Sequence, residues 1–167
     1  MPETNTVWVI VENPAWEEAV PRAIGLCRQA ALGALAASDN ATDNGVREAV
    51  ILLADDATLR ALNMRFRGED KITNVLSFPN VNDGLPPKGT AEPLGDMAIA
   101  FEIACREAAV EGKSLADHLS HLVVHGMLHL LGYDHQCDED AERMESLEAE
   151  ILALLGVESP YGQRLVY

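Results

Sequence analysis

Two short apolar runs, Thr6 to Val11 and Ala49 to Leu53, are rich in β-branched or aliphatic residues and flanked by polar ones, the pattern of buried strands. Between them the spacing predicts a helix over about residues 15–37, closed by the polar loop Ser38-Asp39-Asn40-Ala41-Thr42-Asp43-Asn44-Gly45. The strand, helix, strand order favours a parallel pair joined by a right-handed crossover. A second helix over about residues 56–66, with Asp55 or Asp56 as its N-cap, leads to a strand at Asn74 to Phe78, and a further strand is predicted at Gly95 to Phe101. The connection between these two, residues 80–93, holds Gly84, Pro86, Pro87, Gly89 and Pro93 without a helical period, so a long mobile loop joining an antiparallel pair is expected. From about residue 102 the period becomes helical, over 102–111, 114–131 and 139–155, the last with Met144, Leu147, Ile151 and Leu154 at core-facing spacing before Gly156. The pattern predicts an α+β fold, a small mixed sheet of about four strands packed with about five helices, with no internal repeat.

A chain of 167 residues fits one domain, 1–167, with residues 157–167 as a looser tail, and buries about two-thirds of its unfolded surface. Apolar residues at 48% and charged ones at 23% place it among ordinary globular proteins rather than disordered ones. The N-terminal MPETNTVWVIVE has no basic segment, and its apolar run is interrupted by Glu12. The first helix carries Glu17, Glu18, Arg22 and Arg28, so neither segment suits a membrane. A cytoplasmic location with no membrane partner is expected. Cys27, Cys105 and Cys137, widely spaced and without a CxxC pair, read as reduced thiols.

A net charge of −15 argues against non-specific binding to nucleic acid. That average hides a local exception, since Arg60, Arg65, Arg67 and Lys71 are four of only twelve basic residues and are opposed there by Glu69 and Asp70 alone. The acids at Asp138, Glu139, Asp140, Glu142, Glu145, Glu148 and Glu150 read as a solvated helix face beginning at a favourable N-terminus.

All five histidines, His118, His121, His125, His129 and His135, fall between residues 118 and 135. On a helix the first four form one stripe, with Cβ atoms of neighbours roughly 5–6 Å apart. In HGMLHLLGYDH, Gly132 can end the helix in the left-handed conformation and return His135 over the face of His125 and His129. Three neutral imidazoles without a fourth protein ligand leave a position for water, the arrangement of a catalytic zinc, one per chain. Asp134 either orients an imidazole from behind or satisfies backbone donors in the turn. His118 and His121 exceed what one open site needs and read as helix-surface or supporting residues; Cys137, though close in sequence, reads as a free thiol. Zinc peptidases of the HExxH type carry a glutamate directly after the first histidine, where this chain has Gly126, so peptide hydrolysis ranks second among enzyme readings.

The segment HGMLHLLGYDH resembles the signature of the YbeY family of bacterial endoribonucleases and rRNA maturation factors. LNMRFRGEDKITNVLSFP at 62–79 and LGDMAIA at 94–100 resemble the family's other two blocks in order and spacing, so the likeness spans about residues 48–156. It differs at Ile72, where proline is common, and at Asn74, where aspartate is frequent. The resemblance implies a single α+β domain with zinc on His125, His129 and His135, and an arginine, here Arg67, that helps catalysis or binds RNA. It also implies a zinc-dependent, single-strand-specific endoribonuclease acting in rRNA maturation, including the 3′ end of 16S rRNA, and in ribosome quality control. Its partners would then be precursor rRNA, with ribosomal proteins or an assembly GTPase.

From the residues themselves, a basic segment entering a strand of a −15 chain is where a phosphate-contacting group belongs, and a guanidinium holds phosphate oxygens bidentately. Arg67 is accordingly the catalytic and substrate-binding candidate, with Lys71 a second substrate-binding one. A reading of a different class is a zinc-containing ribosome-assembly factor that binds and does not cut; its acidic surface would meet basic ribosomal proteins.

Overall fold

The computed structural model describes residues 5–38, 46–80 and 92–158. All but Ser38 of the loop expected at 38–45, nearly all of the 80–93 connection and most of the 157–167 tail fall outside those residues.

The first apolar run forms β1 (Thr6–Val11), and the second, extended at both ends, forms β2 (Arg47–Ala54); they pair in parallel from Thr6 against Glu48 to Val11 against Leu53. Strand β4 (Glu92–Ala100) lies on the other side of β2, also parallel, and β3 (Val75–Pro79) pairs antiparallel with β4 at the sheet edge, giving the order β1-β2-β4-β3. The antiparallel pair is the one expected from the sequence. Its close approach depends on Gly95, at φ +138°, where a Cβ would sit 2.3 Å from the Phe78 carbonyl oxygen.

One correction concerns the long helix expected over 15–37. It is two helices, α1 (Ala15–Ala19) and α2 (Ala23–Ala37), so the protein has six helices among its described residues rather than five. Pro21 supplies the cause: it has no N–H to donate, and its ring drives the preceding residue out of the helical region, as Val20 at φ −131° and ψ 87° records. The short α1 serves to bury Trp16, whose Nε1 donates to the Ala54 carbonyl at 2.9 Å while its indole meets the Phe101 ring edge-on at 5.0 Å.

Helix α3 (Asp56–Arg67) starts at Asp55, whose side chain accepts the Thr58 N–H at 2.8 Å, and stops at Gly68 in the left-handed conformation, φ 68°. Of the two candidate caps, Asp55 is therefore the cap. Asp56 instead accepts the Ile103 N–H at 3.0 Å and an Arg106 guanidinium N–H at 3.1 Å, tying α3 to α4 (Phe101–Glu111).

The two faces of the sheet are covered unequally. Leu59 of α3 packs with Ala54, Leu76, Ala98 and Ala100 on one side. On the other, α2, α5 (Leu115–Leu130) and α6 (Asp138–Leu154) share the larger core, with Leu119, Val123, Met127 and Leu128 of α5 fully buried against Ile51, Met97, Met144 and Ile151. Helix α5 is thus enclosed along most of its circumference, which fixes every side chain on it. Among the described residues no helix is long and apolar enough to cross a membrane.

Candidate metal centre

Helix α5 begins at Ser114, whose hydroxyl accepts the Asp117 N–H at 3.1 Å, and it carries His118, His121, His125 and His129 along one stripe. It ends at Leu130, and Gly132, at φ 98°, turns the chain so that the Tyr133 N–H reaches the Leu128 carbonyl at 2.9 Å. The same turn points the Tyr133 carbonyl at Nδ1 of His129, 3.1 Å away, and brings His135 back over the helix. The His135 ring lies 5.8 Å from that of His125 and 5.1 Å from that of His129, centre to centre. One nitrogen from each of the three imidazoles lies within 4.8 Å of the others. The three sequence candidates therefore form one cluster, half-buried at His125 and His129 and open to solvent at His135.

Nε2 of His125 and Nε2 of His129 are 3.1 Å apart. Nδ1 of His125 is hydrogen-bonded to a Glu148 carboxylate oxygen, and Nδ1 of His129 to the Tyr133 carbonyl. Both partners only accept, so both Nδ1 atoms carry the proton and both Nε2 atoms present bare lone pairs. Two lone pairs at that separation repel unless a cation lies between them. Tetrahedral zinc with bonds of about 2.0–2.1 Å holds its nitrogens roughly 3.3 Å apart. The donors present thus fit a divalent metal of the kind imidazole prefers.

Electrostatics keep His129 in the ligating form. Burial lowers the pKa of His129, and the nearby His125 and His135 lower it further, against the Tyr133 carbonyl and Asp134, which raise it. Burial alone would raise the pKa of Glu148, but its hydrogen bonds to His121 and His125 prevail and hold it down at about 2.

Glu148 is the site residue that sequence reasoning missed and, in grouping it with the solvated acids of α6, misplaced. Its side chain is 1% exposed. A signal was available, because residue 148 stands four after Met144, three before Ile151 and four before Leu152, on the buried stripe of α6. The second oxygen of Glu148 faces Nε2 of His121 at 3.5 Å. His121 is therefore a supporting residue rather than a surface one. His118 is likewise interior, 2% exposed, its Nε2 2.9 Å from Glu107 and its Nδ1 3.6 Å from Glu111. Asp134 accepts the His135 N–H at 2.7 Å, with the same oxygen 3.7 Å from Nδ1 of that ring, so its hydrogen bond goes to the turn backbone. Cys137 is exposed at the start of α6 and is a free thiol.

Arg67, the last residue of α3, is exposed and donates from Nη2 to the Ser77 carbonyl of β3 at 3.2 Å. The Ser77 hydroxyl in turn donates to the Gly126 carbonyl at 3.2 Å, which links Arg67 to the residue beside His125 in two steps. Lys71 points elsewhere in charge terms, its ammonium 3.2 Å from Glu69, and Arg60 is paired with Asp70 at 2.6 Å. The basic segment is therefore half neutralised. Gly126 faces the sheet, and a Cβ there would lie 2.8 Å from Sδ of Met97 and 3.3 Å from Oγ of Ser77. The glutamate base of an HExxH peptidase has no room at this position.

Comparison with known proteins agrees with this architecture. The family model described as Endoribonuclease YbeY matches residues 11–156. A protein of Paramagnetospirillum magneticum named Endoribonuclease YbeY is 50% identical over 166 residues, 98% of this chain and 100% of its own length. A protein of Bradyrhizobium diazoefficiens with the same name is 53% identical over 135 residues, 78% of this chain and 74% of its own. The solution structure of TM1509 from Thermotoga maritima shares the fold, with a TM-score of 0.53 at 20% identity over 90% of this chain and 91% of that one.

Proposed function

The chain belongs to the YbeY endoribonuclease family and hydrolyses RNA phosphodiester bonds, and on that premise we propose a zinc-dependent enzyme that cuts single-stranded precursor rRNA, with the 3′ end of 16S rRNA as a target, in the cytoplasm. The whole chain 1–167 acts as one metal-dependent hydrolase domain, and the same activity serves ribosome quality control. The observation that carries this reading is the convergence of the His125 and His129 lone pairs, 3.1 Å apart, with His135 closing the third side.

His125, His129 and His135 hold the metal. Zinc bound there supplies Lewis acidity toward a phosphoryl oxygen. Glu148 fixes the tautomer and orientation of His125, and the Tyr133 carbonyl does the same for His129. Arg67 spends one N–H on Ser77 and keeps the rest of its guanidinium in solvent, free to hold phosphate oxygens and offset the charge that grows on them. Lys71 gives weaker help, because Glu69 already answers its charge. Asp134 keeps the turn that presents His135.

A binding role toward ribosomal proteins or an assembly GTPase is compatible with the −15 charge. Metal content and cleavage of a single-stranded oligoribonucleotide, measured for the native protein, His129→Ala and Arg67→Ala, test the proposal. His129→Ala is expected to lose zinc and activity together, and Arg67→Ala to keep zinc and lose activity by roughly 100-fold or more, the scale of a lost charge-stabilising donor. Native-rate cleavage by Arg67→Ala overturns its role. Native protein that purifies without metal and gains nothing from added zinc overturns the centre itself.

A further inference from the structure

Phe66 is a large aromatic residue left 58% exposed on the last turn of α3, in a chain with only three phenylalanines. Its ring is held in place. Phe78 of β3 lies beside it with ring centres 5.3 Å apart at an angle of 56°, and the Arg65 guanidinium carbon stands 5.2 Å from the Phe66 ring centre. Met64, 54% exposed, and Ile72, 42% exposed, are also apolar and at the surface, but Met64, two residues before Phe66, lies on a different side of α3.

The charges around this surface are sorted. Arg60 and Lys71 pair with Asp70 and Glu69, whereas Arg65 and Arg67, on either side of Phe66 in the chain, have no carboxylate partner among the described residues. An exposed ring with the Arg65 guanidinium over it and Arg67 next to it in the chain, neither arginine with a carboxylate partner among the described residues, in a chain of net charge −15, is complementary to a base flanked by phosphates, the base taking the place over the ring that Arg65 holds. It connects to the metal centre through the edge strand, with Phe78 on the α3 side of the sheet and Ser77 on the α5 side. Arg67 holds the Ser77 carbonyl and Ser77 holds the Gly126 carbonyl next to His125, while Phe78, the residue after Ser77, carries Phe66.

We propose that Phe66, backed by Phe78 and flanked by Arg65 and Arg67, is a stacking platform for one unpaired nucleobase of the RNA substrate, a few nucleotides from the bond that is cut. This rests on the endoribonuclease reading and adds to it a physical source for the preference for single strands. A base within a duplex has both faces covered and cannot lie on the ring, whereas an unpaired base of any identity can.

The test compares KM and kcat of the zinc-loaded native protein, Phe66→Leu and Phe66→Tyr on a fluorescently labelled single-stranded oligoribonucleotide. A series of the same oligonucleotide with one abasic position moved along it completes the experiment. Phe66→Leu is expected to raise KM about tenfold with little change in kcat, and Phe66→Tyr to restore it, from the usual worth of a base stacked on an aromatic ring. One abasic position should raise KM of the native protein by a similar factor and have no further effect in Phe66→Leu. A native KM in Phe66→Leu, or an abasic series that is flat for the native protein, overturns the platform and leaves the patch to a protein partner. If the native protein itself neither binds nor cuts the unmodified oligonucleotide, the endoribonuclease reading falls first and this inference with it.

Discussion

A carboxylate that is 1% exposed is stable in a protein interior only when its charge is answered on the spot, and for Glu148 the answer comes from His125 and His121. The arrangement works in both directions. The histidines keep the carboxyl ionised, and the carboxylate keeps the proton of His125 on Nδ1, so that Nε2 is available to a metal. Glu148→Gln keeps the shape and weakens the acceptor. It is expected to bind zinc roughly 10- to 100-fold less tightly than the native protein, read by competition with a chromophoric chelator. An unchanged affinity in a folded variant would remove Glu148 from the centre. The three-histidine cluster was legible in the sequence because helical spacing and one glycine turn define it locally. Glu148 was not read, because counting seven acids in α6 as one face hid the single one standing on the stripe of Met144, Ile151 and Leu152. For His118 and His121 the sequence left surface and supporting roles open for a related reason: what lies opposite them, Glu107 of α4 and Glu148 of α6, is set by tertiary packing and not by spacing on α5.

Among the elements, α5 is the one on which position and chemistry are hardest to separate. Its buried side chains hold the histidine stripe in register, and Gly126 lets it settle against β3 and β4, with Met97 and Ser77 filling the space a side chain would take. Gly126→Ala adds one methyl group into contact at 2.8 Å with Met97 Sδ. Methionine can yield, so the expected cost is about 1 kcal/mol in urea unfolding, with zinc affinity lowered because His125 moves with the helix. Wild-type stability in Gly126→Ala would show that α5 does not seat against Met97 as described. The elements themselves were mostly readable, down to the antiparallel pairing of β3 with β4. The failure at 15–37 came from following apolar period across Pro21, where the missing N–H and the bend at Val20 outweigh periodicity.

At the scale of the molecule, buried ionisable groups set how stability responds to pH. Burial pushes His118 below its ordinary 6.5, more than its hydrogen bond to Glu107 pushes it up, and His129 is lowered as well. A histidine whose folded pKa is depressed binds its proton more readily in the unfolded chain. Its stabilising contribution is complete above the unfolded value and is lost as pH falls through the folded one. Asp55, lowered by the Thr58 N–H, and Glu148, held at about 2, follow the same sign in a more acidic window, below the ordinary carboxylate range. The urea midpoint of metal-free protein is therefore expected to be higher at pH 8 than at pH 5.5, with a further fall below about pH 4. A midpoint that rises between pH 8 and pH 5.5 would contradict the interior placement of His118.

The hydrogen bond from Arg67 to Ser77 has a consequence for the sheet as well as for RNA. Asn80 and Asn74 bond to Leu94 and Ala100 of β4, so by antiparallel alternation Ser77 turns its backbone groups away from β4, toward the open margin of the sheet. Pro79 has no N–H to offer at that margin, and the Arg67 guanidinium covers the Ser77 carbonyl. The arginine proposed to grip phosphate is thus also a bolt across the one seam where a foreign strand could add to β3. Removing that side chain would leave the Ser77 carbonyl open at the margin to pairing by another chain.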